Sequence, residues 1–199
     1  MERVKVYLLH IHSIEGKEEH LKGVLPASRV EKAKRFVRAE DRLLSLAAGY
    51  LVHRHVGDYY VDEWGKPKAD GVCFNLSHSG EYAALAVAPR EVGLDIERAK
   101  SDKDYDALAA FCFGQDELEA YRRGTPFLAL FTAKESLSKA DGRGLSADIK
   151  TIPAMPVDGA VTYQAKSYYR HALEYNGYYV SVTMESADFE IISEETYVD

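Results

Sequence analysis

The run "VGLDIE", residues 92–97, restricts the fold more than any other stretch of the chain. Val92, Leu94 and Ile96 alternate with Gly93, Asp95 and Glu97. A period of two is the signature of a strand. It puts three apolar side chains on one face and two carboxylates on the other, about 6–7 Å apart along the strand. On spacing alone the commoner meaning is the solvated face of an edge strand. The alternative is a pair of acids held toward a cleft, and the pattern by itself does not choose.

Around that strand the period switches back and forth. "RVKVYLLHIH" alternates as a first strand, and "LPASRVEKAKRFVRAEDRLLSLAAGYLVHRHVG" reads as helical throughout. In it Ser28 and Glu31 form a capping-box pattern, and Leu43, Leu44, Ala47, Ala48 and Leu51 make an apolar stripe. Gly57 marks the stop. "WGKPKADG" reads as a loop, "NLSHSG" as a polar loop between strands, and "PRE" as the turn of a hairpin joining "YAALAVA" to "VGLDIE". After the charged segment "AKSDKDYDA" come a second helical region and a helix opened by Thr125 as N-cap with Pro126 at its first position, closed at Gly142. Tyrosine-rich strands follow, with Asn176-Gly177 as a two-residue hairpin turn. Helices before strands thus occur twice, which divides the chain into halves at 1–100 and 101–199 and gives an α+β class.

Composition narrows the function. The chain has 199 residues, 46% of them hydrophobic and 29% charged, as in soluble globular proteins. A net charge of −7 argues against nucleic acid as the partner. The N-terminal segment lacks the apolar core of a signal peptide, and no run suits a membrane span. Two cysteines, Cys73 and Cys112, are no disulfide framework and fit a reducing cytoplasm.

A third acid, Glu135 in "FTAKESLSKA", lies on the last helix and shares a face with Lys139 four residues on. Lys134 points about 100° away. Two carboxylates on a strand and one on a packed helix suit a hard divalent cation that keeps room for substrate phosphates. The lysines suit a pyrophosphate. Taken singly, Glu135 with Lys139 reads first as a helix-surface pair and "NLSHSG" as a turn, and the basic run containing Arg29, Lys32, Lys34, Arg35 and Arg38 reads equally as a solvated face.

Taken together, "RVEKAKRF…EDRLLSL", "GKP", "FNLSHSG", "VGLDIE" and "FTAKESLSKADGRGLS" resemble, in order and spacing, one family over nearly the whole chain. It is the 4′-phosphopantetheinyl transferases, of the longer two-halved kind typified by the surfactin-synthetase-activating enzyme. The resemblance implies transfer of the phosphopantetheine arm of coenzyme A to a serine of an apo acyl or peptidyl carrier protein, with release of adenosine 3′,5′-bisphosphate. It implies two similar α/β subdomains related by a pseudo-twofold axis, the site in the cleft between them, and a cytoplasmic monomer.

Residue by residue, the resemblance makes Asp95, Glu97 and Glu135 ligands of magnesium, with manganese as the alternative metal. Lys139 falls beside the pyrophosphate, with Lys134 as its partner in the "KE" pair. His78, with Ser77 next to it, contacts the coenzyme A phosphates. Lys66, Arg29 and Lys32 hold the adenosine end, and Glu117 is the base for the attacking serine. Two positions depart from the family pattern: Leu44 stands where an arginine is frequent, leaving Arg42 as a candidate substitute, and Phe131 replaces a tryptophan. Two rival classes use the same residues: a non-catalytic coenzyme A or carrier binder, and a magnesium-dependent phosphohydrolase.

Overall fold

A computed structural model describes residues 1–63, 66–142 and 149–198. Trp64 and Gly65 of the expected "WGKP" loop, and residues 143–148 after the last helix, lie outside the described residues. The fold is mixed α+β. In chain order the elements are β1 (Glu2–His10), α1 (Glu18–Val24), α2 (Ala27–Lys34), α3 (Ala39–His55), β2 (Tyr60–Val61), β3 (Pro67–Lys68), β4 (Cys73–Ser79), β5 (Tyr82–Ala88) and β6 (Val92–Arg98). There follow α4 (Asp106–Cys112), α5 (Gln115–Arg122), α6 (Phe127–Asp141), β7 (Gly159–Tyr163), β8 (Lys166–Tyr175), β9 (Tyr178–Met184) and β10 (Phe189–Glu195).

Two four-stranded sheets carry the molecule, in the orders β10-β1-β5-β4 and β6-β9-β8-β7. Strand alternation sorts β1 and β5 into two cores. Tyr7, Leu9, Ala83 and Leu85 pack with α1–α3, through Leu21, Val30, Leu46, Ala47 and Leu51. Val4, Val6, Leu8, Ala84 and Ala86 pack instead against Val92, Leu94, Ile96, Val180, Val182 and Met184 of the second sheet. On its other side that sheet receives α6, where Leu137 and Ala140 meet Val161 and Tyr168.

Both sheets draw a strand from across residue 100: β6 lies in the second sheet, and β10 returns to run parallel to β1 in the first. The "PRE" segment is therefore not the turn of a hairpin. β6 leaves β5 and pairs antiparallel with β9, because its apolar face completes the core between the sheets. "NLSHSG" is likewise not a loop, since Cys73–Ser79 is a regular strand paired with β5.

The long helical stretch is broken at residues 35–38, and Arg42 stabilises the break by donating to the carbonyls of Phe36 (3.0 Å) and Val37 (2.7 Å). Helix starts shift as well. Pro26 rather than Ser28 is the N-cap of α2, and Pro126 rather than Thr125 that of α6. The stops hold. Gly142, at φ 86°, closes α6, and Asn176 and Gly177, at φ 48° and 78°, make the left-handed turn of the β8–β9 hairpin. No helix among the described residues is long and apolar enough to cross a membrane.

Candidate active site

β6 is an edge strand of its sheet, yet it is not exposed. Val92, Leu94 and Ile96 are fully buried, and Asp95 is 4% accessible. The cover on the acidic side is α6, and Gly93 is what lets it come so near. A Cβ built at Gly93 would lie 1.9 Å from the Ser136 carbonyl oxygen and 2.5 Å from the Ala140 nitrogen. The helix backbone thus rests on the strand backbone, as a lone glycine inside a strand pattern often signals. Ser136 fixes the contact from the helix side, with its Oγ 2.8 Å from both Ser181 Oγ and Thr183 Oγ1 of β9.

This contact brings Lys139 onto the strand. Its Nζ lies 2.7 Å from Asp95 Oδ1, donates to the Leu94 carbonyl at 3.0 Å and reaches Ser77 Oγ at 3.2 Å. The Ser77 hydroxyl in turn donates to Asp95 Oδ1 at 2.9 Å. The other oxygen, Asp95 Oδ2, is buried and has no hydrogen-bond partner among the described residues. A buried carboxylate oxygen left unpaired is costly, so it is a place where a cation belongs.

Two neighbouring acids agree with that. Burial, and then the Asp95 charge, push the Glu135 carboxyl up to about 7. Burial, with a further contribution from Asp95, also raises Glu97. Charge crowding of three carboxylates is what a divalent ion relieves. Among the described residues, no three such side chains are already closed around one point as a metal cage. Lys139 supplies the positive charge at Asp95 instead. The donor set fits a hard cation that keeps water and phosphate ligands.

The basic wall lies beside this cluster. His78 extends from β4 to solvent on the face opposite Ser77. Partial burial and the cations of Lys139, Arg29 and Lys32 hold its imidazole below the usual range. Arg29 and Lys32 of α2 line a groove of 220 Å³ together with Tyr59, Val61, Pro67 and Leu76. Arg29 Nε also donates to the Ser45 carbonyl of α3 at 3.2 Å. Lys66 is tied down, 2.6 Å from Glu91 Oε2 and 2.9 Å from the Lys139 carbonyl, so it joins the β3 region to α6. A larger cleft of 680 Å³ runs past Glu97 between the start of α3 and the α4–α6 side, with Leu44, Arg98, Lys103, Tyr105 and Phe131 in its walls. Leu44 lies buried there, and Arg42 uses one guanidinium nitrogen to hold the Phe36 and Val37 carbonyls.

Two expected site residues are placed elsewhere. Lys134 has no accessible side-chain surface, and Glu117, on α5, is its ion-pair partner at 2.7 Å. Lys134 also donates to the Ile149 carbonyl (3.2 Å) and to the Ile152 carbonyl. Glu117 accepts from the backbone amides of Ala154 (2.7 Å) and Gly114 (2.9 Å). Both oxygens of this carboxylate accept hydrogen bonds inside the protein. The pair is an internal clamp that ties α6 to α5 and to the Ile149–Ala154 segment.

Behind it lies a residue that the sequence reading missed. Arg170 of β8 is fully buried, donating to the carbonyls of Ala154 (3.0 Å), Pro156 (2.6 Å) and Pro153 (3.1 Å). Burial brings its guanidinium down to about 10. An arginine in an alternating, tyrosine-rich strand gives no sign of such burial.

Comparison with known proteins yields the same family as the motifs. Residues 91–183, which contain β6 and α6, match the model of the 4′-phosphopantetheinyl transferase superfamily. A 4′-phosphopantetheinyl transferase of Bacillus subtilis is 30% identical, over 66% of this chain and 66% of its own length. The 4′-phosphopantetheinyl transferase Sfp of Bacillus subtilis (strain 168) is 28% identical over 81% of each chain. The 4′-phosphopantetheinyl transferase AcpT of Salmonella typhi is 33% identical over 60% of this chain and 68% of its own. With Asp95 of β6 and Lys139 of α6 in contact inside the matched segment, the chain belongs to the 4′-phosphopantetheinyl transferase family.

Proposed function

We propose that this protein transfers the 4′-phosphopantetheine arm of coenzyme A to a serine of an apo carrier protein, converting it to the holo form and releasing adenosine 3′,5′-bisphosphate. The observation that carries the reading is the Asp95–Lys139–Ser77 cluster with its unpartnered Asp95 Oδ2, built where β6 and α6 touch. Asp95, Glu97 and Glu135 would hold a divalent cation, magnesium or manganese. Bound there, it would supply Lewis-acid polarisation of the pyrophosphate and screen its charge.

The chain's own groups do the remaining work, which is mainly positioning. Arg29, Lys32 and the groove they line take the adenosine end. His78 and Lys139 give hydrogen bonds to phosphate oxygens, those from the lysine charge-assisted. Lys66, held by Glu91, braces Lys139 through its carbonyl. The carrier serine is the nucleophile. Its oxygen bonds the phosphorus bearing the pantetheine arm as the phosphorus–oxygen bond to the adenosine bisphosphate breaks, the electron pair leaves with the bisphosphate, and the hydroxyl proton passes to solvent water. Glu117 and Lys134 act at one remove, by holding α6 so that Glu135 and Lys139 keep their places.

The reading extends to the whole chain as two α/β halves, residues 1–100 and 101–199, related by a pseudo-twofold axis, with coenzyme A between them. A sheet covered by helices on each side supports this, the halves exchanging β6 and β10. The chain would act as a cytoplasmic monomer on soluble partners. Because carrier proteins are commonly acidic and this chain carries −7, recognition would rest on local apolar and basic surface rather than long-range steering.

One assay tests the activity. Incubation with coenzyme A, magnesium and a panel of apo carrier proteins should add the mass of the phosphopantetheine arm to at least one carrier, with an equal amount of adenosine bisphosphate. Bisphosphate without modified carrier would mean hydrolysis. Neither product would mean binding only.

A further inference from the structure

β6 presents an unpaired backbone edge, and β4 of the other sheet covers it with side chains. The alternate residues of β4 meet the alternate amides of β6 in constant register. Asn75 Oδ1 accepts from the Leu94 amide at 3.0 Å, Ser77 Oγ from the Ile96 amide at 3.4 Å, and Ser79 Oγ from the Arg98 amide at 3.1 Å. Each partner lies 19 residues further along the chain. The middle rung is long because Ser77 Oγ also receives Lys139 Nζ, at 3.2 Å.

The hydroxyl rungs do a second thing. Having accepted an amide, Ser77 donates to Asp95 Oδ1 at 2.9 Å, and Ser79 donates to Glu97 Oε2 at 2.8 Å. A hydroxyl has one donor and two acceptor sites, so it can close the strand edge and aim a carboxylate at once. An asparagine can do only the first with its oxygen, and it stands at the one rung with no carboxylate beside it. The other face of β4 carries Phe74 and Leu76 into the helical core and His78 to solvent. The alternation of "FNLSHS" therefore separates anchoring residues from clasping ones.

We propose that Asn75, Ser77 and Ser79 form a side-chain ladder that replaces a missing strand at the edge of β6, and that Ser79 is the positioning residue for the Glu97 carboxylate. The ladder rests on the backbone contacts alone. The positioning role rests also on the proposed use of Glu97 as a cation ligand.

The test uses the full chain and manganese alone as probe. In Ser79→Ala the Arg98 amide should exchange with solvent at least about tenfold faster by NMR, while the Leu94 amide, held by Asn75, keeps its rate. Manganese should bind about tenfold more weakly, as is usual when the partner of a metal ligand is lost. Coenzyme A binding without metal should stay within about twofold, and Ser79→Thr, which keeps the hydroxyl, should restore both the Arg98 rate and manganese affinity. An unchanged Arg98 rate in Ser79→Ala, or equal acceleration of the Leu94, Ile96 and Arg98 amides, would overturn the ladder. Unchanged manganese affinity in Ser79→Ala, where Glu97→Gln weakens it, would overturn the positioning role. If Glu97→Gln binds manganese as well as the parent protein does, the cation reading of Glu97 falls and takes the positioning role with it. The ladder is then still decided by the amide rates.

Discussion

Lys139 Nζ sits 2.7 Å from Asp95 Oδ1, joining the middle of a buried strand to the last turn of the helix that covers it. The contact is possible because Gly93 lets the two backbones touch, and it leaves Asp95 Oδ2 unpaired. The proposed chemistry and the packing of the second sheet therefore meet at one point.

Removing the carboxylate should end the reaction. Asp95→Ala is expected to lower transfer of a labelled phosphopantetheine arm by more than about a hundredfold, since several kcal/mol of charge stabilisation go with a metal site. Near-normal turnover in magnesium would remove Asp95 from it.

Lys139→Ala should weaken coenzyme A binding or turnover in a chain that still folds, with some loss of stability because the buried Asp95 carboxylate loses its partner. Calorimetry of coenzyme A binding and steady-state kinetics check this, and parent-like values in both would take the lysine out of the pyrophosphate contact.

Gly93→Ala should be among the most damaging single substitutions in the chain. A methyl group 1.9 Å from the Ser136 carbonyl oxygen must push α6 off β6. Overpacking of this kind costs about 3 kcal/mol. It should appear in urea unfolding as a lower midpoint, with turnover falling as Glu135 and Lys139 move.

Glu117→Gln separates a structural acid from a base. Breaking a buried ion pair costs about 3–5 kcal/mol, mostly from the charge left behind on Lys134. The variant should unfold more easily, and a paired Glu117→Leu, Lys134→Met chain should recover much of the loss. A stable Glu117→Gln protein with no activity would instead return Glu117 to proton transfer.

The contribution of the carboxylate cluster to stability without divalent ions should fall as pH rises from about 4.5 to about 7. Glu135 is raised to about 7 in the folded protein, so across that window the folded state holds a proton that the unfolded chain has released. Its contribution is full below the unfolded value and is lost above the folded one. Glu97, raised as well, adds in the same direction. Magnesium should flatten the slope by favouring the ionised carboxylates, and thermal melts across that range with and without it measure the difference. A slope that magnesium leaves unchanged would speak against a cation at these acids.

The sequence by itself determined the elements and the chemistry they carry. Periods of two and of 3.6 placed most strands and helices, the stops at Gly142 and Asn176-Gly177 followed from backbone geometry, and the motifs identified the family. These are local properties, set by neighbours within a few residues. Which strand lies beside which is not local, and tertiary structure alone decided it. β6 passed to the second sheet because burying Val92, Leu94 and Ile96 between two sheets outweighs a short hairpin with β5. "VGLDIE" became an edge strand that is nonetheless buried because α6 and β4 supply what a neighbouring strand would have supplied. Glu117 and Lys134 are paired inside the protein because the fold encloses both, and a buried charge is stable only when another charge and backbone dipoles surround it.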